Sequence, residues 1–123
     1  MVHYLFPVPV YTTTATEDFT KENEQLNTFE LRKTSSNDYG ERSINSYILD
    51  DYRLSSLARW ILKQVNAYSE QELHKAKDAY DYVFLQSWVS IKRPGQRHEA
   101  HTHANSVISG VDRKSTRLNS SHL

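Results

Sequence analysis

Two histidines separated by one residue, His101 and His103, are the side chains of this sequence best suited to chemistry. On an extended segment side chains alternate, so the two would share a face with Cβ atoms roughly 6.5 Å apart. Imidazoles so placed can converge on one metal ion at about 2.1 Å from each nitrogen. Asn105 falls on the same face, whereas His98 and Ala104 do not. Two exposed histidines in a polar loop have the same spacing, and half a metal site is no site. The surrounding residues must decide between the two readings.

Those surroundings form the stretch Ser87 to Val111, SWVSIKRPGQRHEAHTHANSVISGV, which holds three of the six histidines, a Pro-Gly pair and two apolar runs of strand character. Upstream of the pair, Val83, Leu85, Ser87, Val89 and Ile91 alternate with Phe84, Gln86, Trp88, Ser90 and Lys92. This period of two predicts a strand from Asp81, partly apolar on both faces and therefore covered on both. Pro94-Gly95 ends it in a turn. Trp88 is expected to be a packing residue, and His98, out of phase with the pair, a loop residue.

The order Trp88, polar strand, Pro94-Gly95, His101-x-His103 and Ser106-Val-Ile-Ser-Gly-Val111 resembles a family of Fe(II)/2-oxoglutarate-dependent oxygenases predicted in phages and bacteria. The opening Leu5-Phe-Pro-Val-Pro-Val-Tyr11 is similar to that family's first strand, so the likeness touches both ends of residues 1–111. It implies an α+β fold: the N-terminal part of a double-stranded β-helix, or jelly roll, with a bracing helix, truncated before the barrel is complete. It also implies one Fe(II) at the barrel mouth, 2-oxoglutarate as cosubstrate, and hydroxylation of a substrate coupled to oxidative decarboxylation. His101 would be the proximal ligand and His103 a second ligand or an orienting neighbour. Asn105 would be a polar contact to cosubstrate or substrate, and Ser106 and Ser109 would shape the barrel interior. The wider superfamily uses HxD or HxE here to complete a facial triad. This chain has His103 where the acid would stand, which leaves the ligand set open. A cupin-like module that binds a small ligand or a metal without catalysis is the competing reading, because jelly rolls host many functions.

Residues Asp112 to His122, DRKSTRLNSSH, match residue for residue the conceptual translation of a common sequencing adapter. Residues 112–123 are therefore set apart as a non-native tail, as an expression scar would be. In the family resembled, the distal histidine and the basic residue that pairs with 2-oxoglutarate come from later strands. The chain as written is expected to be neither active nor independently stable.

The strongest helix signal lies upstream. Asp50 or Asp51 can cap it, and Leu54, Leu57, Ala58, Ile61, Val65 and Tyr68 fall on one stripe at three- and four-residue steps. A one-sided stripe predicts a brace packed on a sheet. Ser69 and Glu72 have capping-box spacing, predicting a second helix to about Ala79 with a solvated His74. Leu26 to Lys33 offers helical offsets and a basic end, hence a short helix. Ser35 to Ser46, with its turn formers and Gly40, reads as a loop. The proline-interrupted MVHYLFPVPV reads as an edge strand rather than a signal peptide or membrane span, since it lacks a basic n-region.

With 123 residues and 37% hydrophobic content the chain is one domain at most. The absence of cysteine excludes disulfides and cysteine-based zinc sites. Without the tail, 12 basic residues face 14 acidic ones, a net charge of −2 that argues against nucleic acid as partner. The expected partners are a small-molecule cosubstrate and a substrate, in the cytoplasm and away from membrane.

Overall fold

A computed structural model of the protein describes residues 1–34 and 39–113. It is an α+β arrangement of two helices and a three-stranded antiparallel sheet. Among the described residues no helix is long and apolar enough to cross a membrane. Most of the tail set apart above, from residue 114 onward, lies outside the described residues.

Helix α1 spans Thr20–Leu26, earlier than the helical offsets at 26–33 suggested. Asp18 Oδ1 accepts both the N–H (2.9 Å) and the hydroxyl (2.6 Å) of Thr20 where the helix begins. These bonds hold the Asp18 carboxyl below its ordinary pKa. The expected helix at 26–33 is replaced by strand β1, Leu31–Lys33, because residues 31–33 pair with β2, Glu41–Ser43, a partner that local offsets cannot reveal. Strand β2 likewise corrects the loop expected over 35–46, of which residues 35–38 lie outside the described ones. Gly40, at φ +81°, allows the chain to pass close to the Ile91 carbonyl, where any Cβ would collide.

The third strand, β3, is Ser90–Ile91, paired antiparallel with β2 in the order β1-β2-β3. Register assigns the faces. Leu31, Ser43, Val89 and Ile91 lie on one side, and Arg32, Arg42 and Ser90 on the other, with Trp88 in phase with Ser90. Val89 is buried and Ile91 packs against the core, so the first side is the inner one. This alternation agrees with the sequence pattern from Ser87 to Ile91. It fails upstream: Val83 and Leu85 are exposed, while Phe84 turns to the core. Among the described residues, 80–86 have no strand neighbour to hold them to the pleat.

Helix α2 runs Ser55–Glu72, entered through two 3₁₀ turns, Ile48–Asp50 and Tyr52–Leu54. The Asp51 carboxylate caps the second turn by accepting the Arg53 N–H at 2.9 Å, and pairs with its guanidinium at 2.7 Å. The first half of the expected stripe does the packing: Leu54, Leu57 and Ala58 are buried with Leu26, Ile48, Leu49 and Val89, and Ile61 rests against them, whereas Val65 and Tyr68 are only partly buried and lie outside that cluster. The separate helix expected from Ser69 does not form. Ser69 lies inside α2, and the helix ends where His74 takes a left-handed φ of +55° and returns the Lys75 N–H to the Ser69 carbonyl.

Two buried serines fasten the sheet to the core. Ser43 Oγ accepts the Val89 N–H at 3.1 Å, and Ser87 Oγ accepts the Leu49 N–H at 3.0 Å. Both serines are buried. Ser87→Ala leaves the Leu49 N–H without its acceptor, at an expected cost of about 1–3 kcal/mol read from urea unfolding. An unchanged midpoint would show that water replaces the hydroxyl.

Two expected strands are absent. Met1 to Val10 joins no sheet: prolines 7 and 9 lack donors, Phe6 has φ +54°, and the arm is exposed. Ser106 to Val111 is also outside any strand, with Val107 and Val111 exposed.

Candidate functional site

The HxH segment is delivered by β3 and the turn that follows it. Pro94 and Gly95 form this turn as expected, with Gly95 at φ +86°, the Gln96 N–H donating to the Arg93 carbonyl at 3.0 Å and the Arg93 N–H donating to Gln96 Oε1 at 2.7 Å. The chain then returns toward the outer side of the sheet. There His103 meets Trp88, ring centres 6.3 Å apart, and the Arg42 guanidinium lies 4.1 Å over the Trp88 ring. Trp88 thus packs, as its sequence context suggested, and its partners are a cation and a histidine.

His101 and His103 are brought together, with ring centres 4.7 Å apart and planes at 74°. The Nδ1 of His101 lies 2.7 Å from the Glu99 backbone carbonyl. A carbonyl can only accept, so that bond requires a proton on Nδ1, and in the neutral ring the Nε2 lone pair is then available. Tyr39 on the hairpin donates to Glu99 Oε1 at 2.5 Å, which steadies the residue carrying that carbonyl and pushes the Tyr39 phenol above its ordinary pKa. The His98 ring lies near the pair, its centre 6.2 Å from that of His101.

Asn105 departs from the expected arrangement. Ala104 and Asn105 form a turn, with Asn105 at φ +60°, so the strict alternation that placed it beside the histidines ends there. Asparagine tolerates this conformation because its short amide can bond locally. All three residues are exposed.

Two imidazoles each bound at about 2.1 Å to one ion have ring centres roughly 5 Å apart, so the observed separation suits a shared metal. The carbonyl tie on Nδ1 is the usual outer support of a ligating histidine. Imidazole nitrogen also suits Fe(II). The fit covers two positions: among the described residues no three histidine, cysteine or acidic side chains form a group that could hold an ion. No family model, curated protein or solved structure matches this chain. The site stands on its own residues.

Two features escaped the sequence. Arg42 sat in a presumed loop, and only the pairing of β2 puts it over Trp88. The second is a polar cluster beyond α2, where Ser69 donates to Tyr82 Oη at 2.6 Å and Lys75 donates to Asn66 at 2.9 Å while facing the Tyr80 and Tyr82 rings. It borders an open cavity of about 420 Å³ lined by Lys63, Glu70 and Asp78 among others. The Ser69 hydroxyl lowers the Tyr82 pKa, while Tyr80, hydrogen-bonded to Tyr82, is raised.

Ultraviolet titration should therefore show one tyrosine losing its proton below the usual tyrosine range, and Ser69→Ala should move it upward. The folded value is depressed, so the contribution to stability is present above the unfolded pKa of about 10 and is lost as pH falls through the folded value. A single transition for all tyrosines, unchanged in the variant, would contradict the assignment.

Proposed function

We propose that this chain carries part of the metal centre of an Fe(II)/2-oxoglutarate-dependent oxygenase, with His101 and His103 as two iron ligands. The observation that carries the reading is the 4.7 Å ring separation together with the Nδ1 tie that frees His101 Nε2. The sequence likeness from Trp88 to Val111 supplies the class of cofactor, and its jelly-roll fold is the architecture to which the three-stranded sheet would belong. When bound, iron and 2-oxoglutarate supply oxidative decarboxylation coupled to substrate hydroxylation. The chain's own residues bind and orient: His101 through Nε2, His103 beside Trp88, and Asn105 as a polar contact for the cosubstrate.

The test is anaerobic. Fe(II) is titrated into the protein and 2-oxoglutarate added, with visible absorption followed. A charge-transfer band that depends on both supports the oxygenase reading. Metal binding with no band on adding 2-oxoglutarate favours the cupin-like metal-binding module, and no metal binding removes both.

A further inference from the structure

The outer side of the sheet carries an unbalanced charge. Arg32 and Arg42 are direct cross-strand partners, so both side chains rise from one face with Cβ atoms about 5 Å apart. Like charges placed opposite one another are destabilising. No acidic side chain pairs with either among the described residues, although Glu30 lies on the same face two residues from Arg32. Arg42 is moreover half-buried and fixed: its guanidinium lies on Trp88, and its Nη2 donates to Ser46 Oγ at 3.0 Å. Burial first, and Arg32 second, hold its pKa below the ordinary arginine value.

An arginine stacked on an indole and anchored at one nitrogen retains other N–H groups with a set direction. A second guanidinium opposite supplies a further fork. An oxyanion between them would neutralise the repulsion and accept charge-assisted hydrogen bonds from both. We propose that Arg32 and Arg42, walled by Trp88 and His103, form a binding site for a small-molecule oxyanion, a carboxylate or a phosphate group. It needs no metal and rests on Arg32 and Arg42 rather than on the proposed iron site, although His103 borders both.

Isothermal titration of the full chain in EDTA, with inorganic phosphate and separately with succinate at matched ionic strength, tests this. Saturable binding of either anion is expected, and the tighter of the two identifies the group the site takes. Arg42→Gln and Arg32→Gln should each weaken binding about tenfold or more, as loss of a hydrogen bond to a charged group does. Arg42→Lys should also weaken it, since lysine keeps the charge without the planar fork. The Trp88 indole resonance should shift with the same titration curve. If Arg42→Gln fails to fold, Arg32→Gln, exposed and outside the core, decides alone. No saturable binding, or equal binding in a folded Arg32→Gln variant, overturns the site.

Discussion

Leu54→Ala is expected to abolish the cooperative unfolding transition of this protein at room temperature. Leu54 is fully buried where the 3₁₀ turn enters α2, among residues drawn from α1, α2 and β3. Truncating a buried leucine costs about 2–5 kcal/mol, through lost transfer energy and the cavity left behind. Whole domains hold only about 5–15 kcal/mol in reserve. This core is expected to lie low in that range, because among the described residues it buries seven apolar side chains while Val2, Leu5, Phe6, Val8 and Val83 stay in water. A cooperative transition in the parent would count against the expectation, drawn from the sequence, that the chain as written is not independently stable. Ile61→Ala, at the partly buried edge of the core, should cost less than half as much, and Val107→Ala, exposed, should cost nothing measurable. Urea unfolding followed by far-ultraviolet circular dichroism orders the three. A Leu54→Ala midpoint equal to that of the parent would mean that the core is not where the structure places it.

What was legible in the sequence follows from how local each cause is. The α2 stripe is a property of neighbouring residues, so three- and four-residue steps sufficed; the capping carboxylate was also local, although Asp51 caps the 3₁₀ turn ahead of α2 and not the helix itself. The Pro94-Gly95 turn is as local. Strands β1 and β2 are three residues each, too short to show a period, and exist because they pair with one another and with β3. The apolar runs at Leu5 to Tyr11 and Ser106 to Val111 mislead for the converse reason: with no strand partner among the described residues, strand character leaves a chain exposed. Ser69 shows a local motif overridden by its context, since α2 runs on through it. Its spacing to Glu72 suits a capping box, but inside a helix that starts fourteen residues earlier there is no N-terminus to cap, and its hydroxyl donates to Tyr82, thirteen residues on.

The candidate site divides in the same way. The nearness of His101 and His103 was readable because one intervening residue constrains it strongly. The tie from Glu99 to His101 spans two residues, whereas the tautomer it selects needed coordinates to see. Arg42 lies 46 residues from Trp88, and no pattern within either segment links them. The outer side of the sheet is thus the part of the site that only tertiary pairing assembles, and it is where the positive charge collects.

His101→Ala and His103→Ala should each weaken Fe(II) or Co(II) binding by about 100-fold or more, since even the loss of an outer partner of a ligating histidine costs about 10- to 100-fold. The two losses should not add. Once one imidazole is gone the other is a lone exposed histidine, so the double variant should bind no more weakly than either single one. Affinity in the parent should also fall on acidification, because protons compete for the same nitrogens. Asn105→Ala, in the turn beyond the pair, should leave metal affinity unchanged and weaken only the response to 2-oxoglutarate. The singles carry the most information. Equal losses make both histidines ligands. A loss confined to His101→Ala makes His103 an orienting residue held by Trp88, the second of the two roles its position allows. Metal binding that survives both substitutions would place the ion elsewhere and remove the reason for reading this segment as an oxygenase centre.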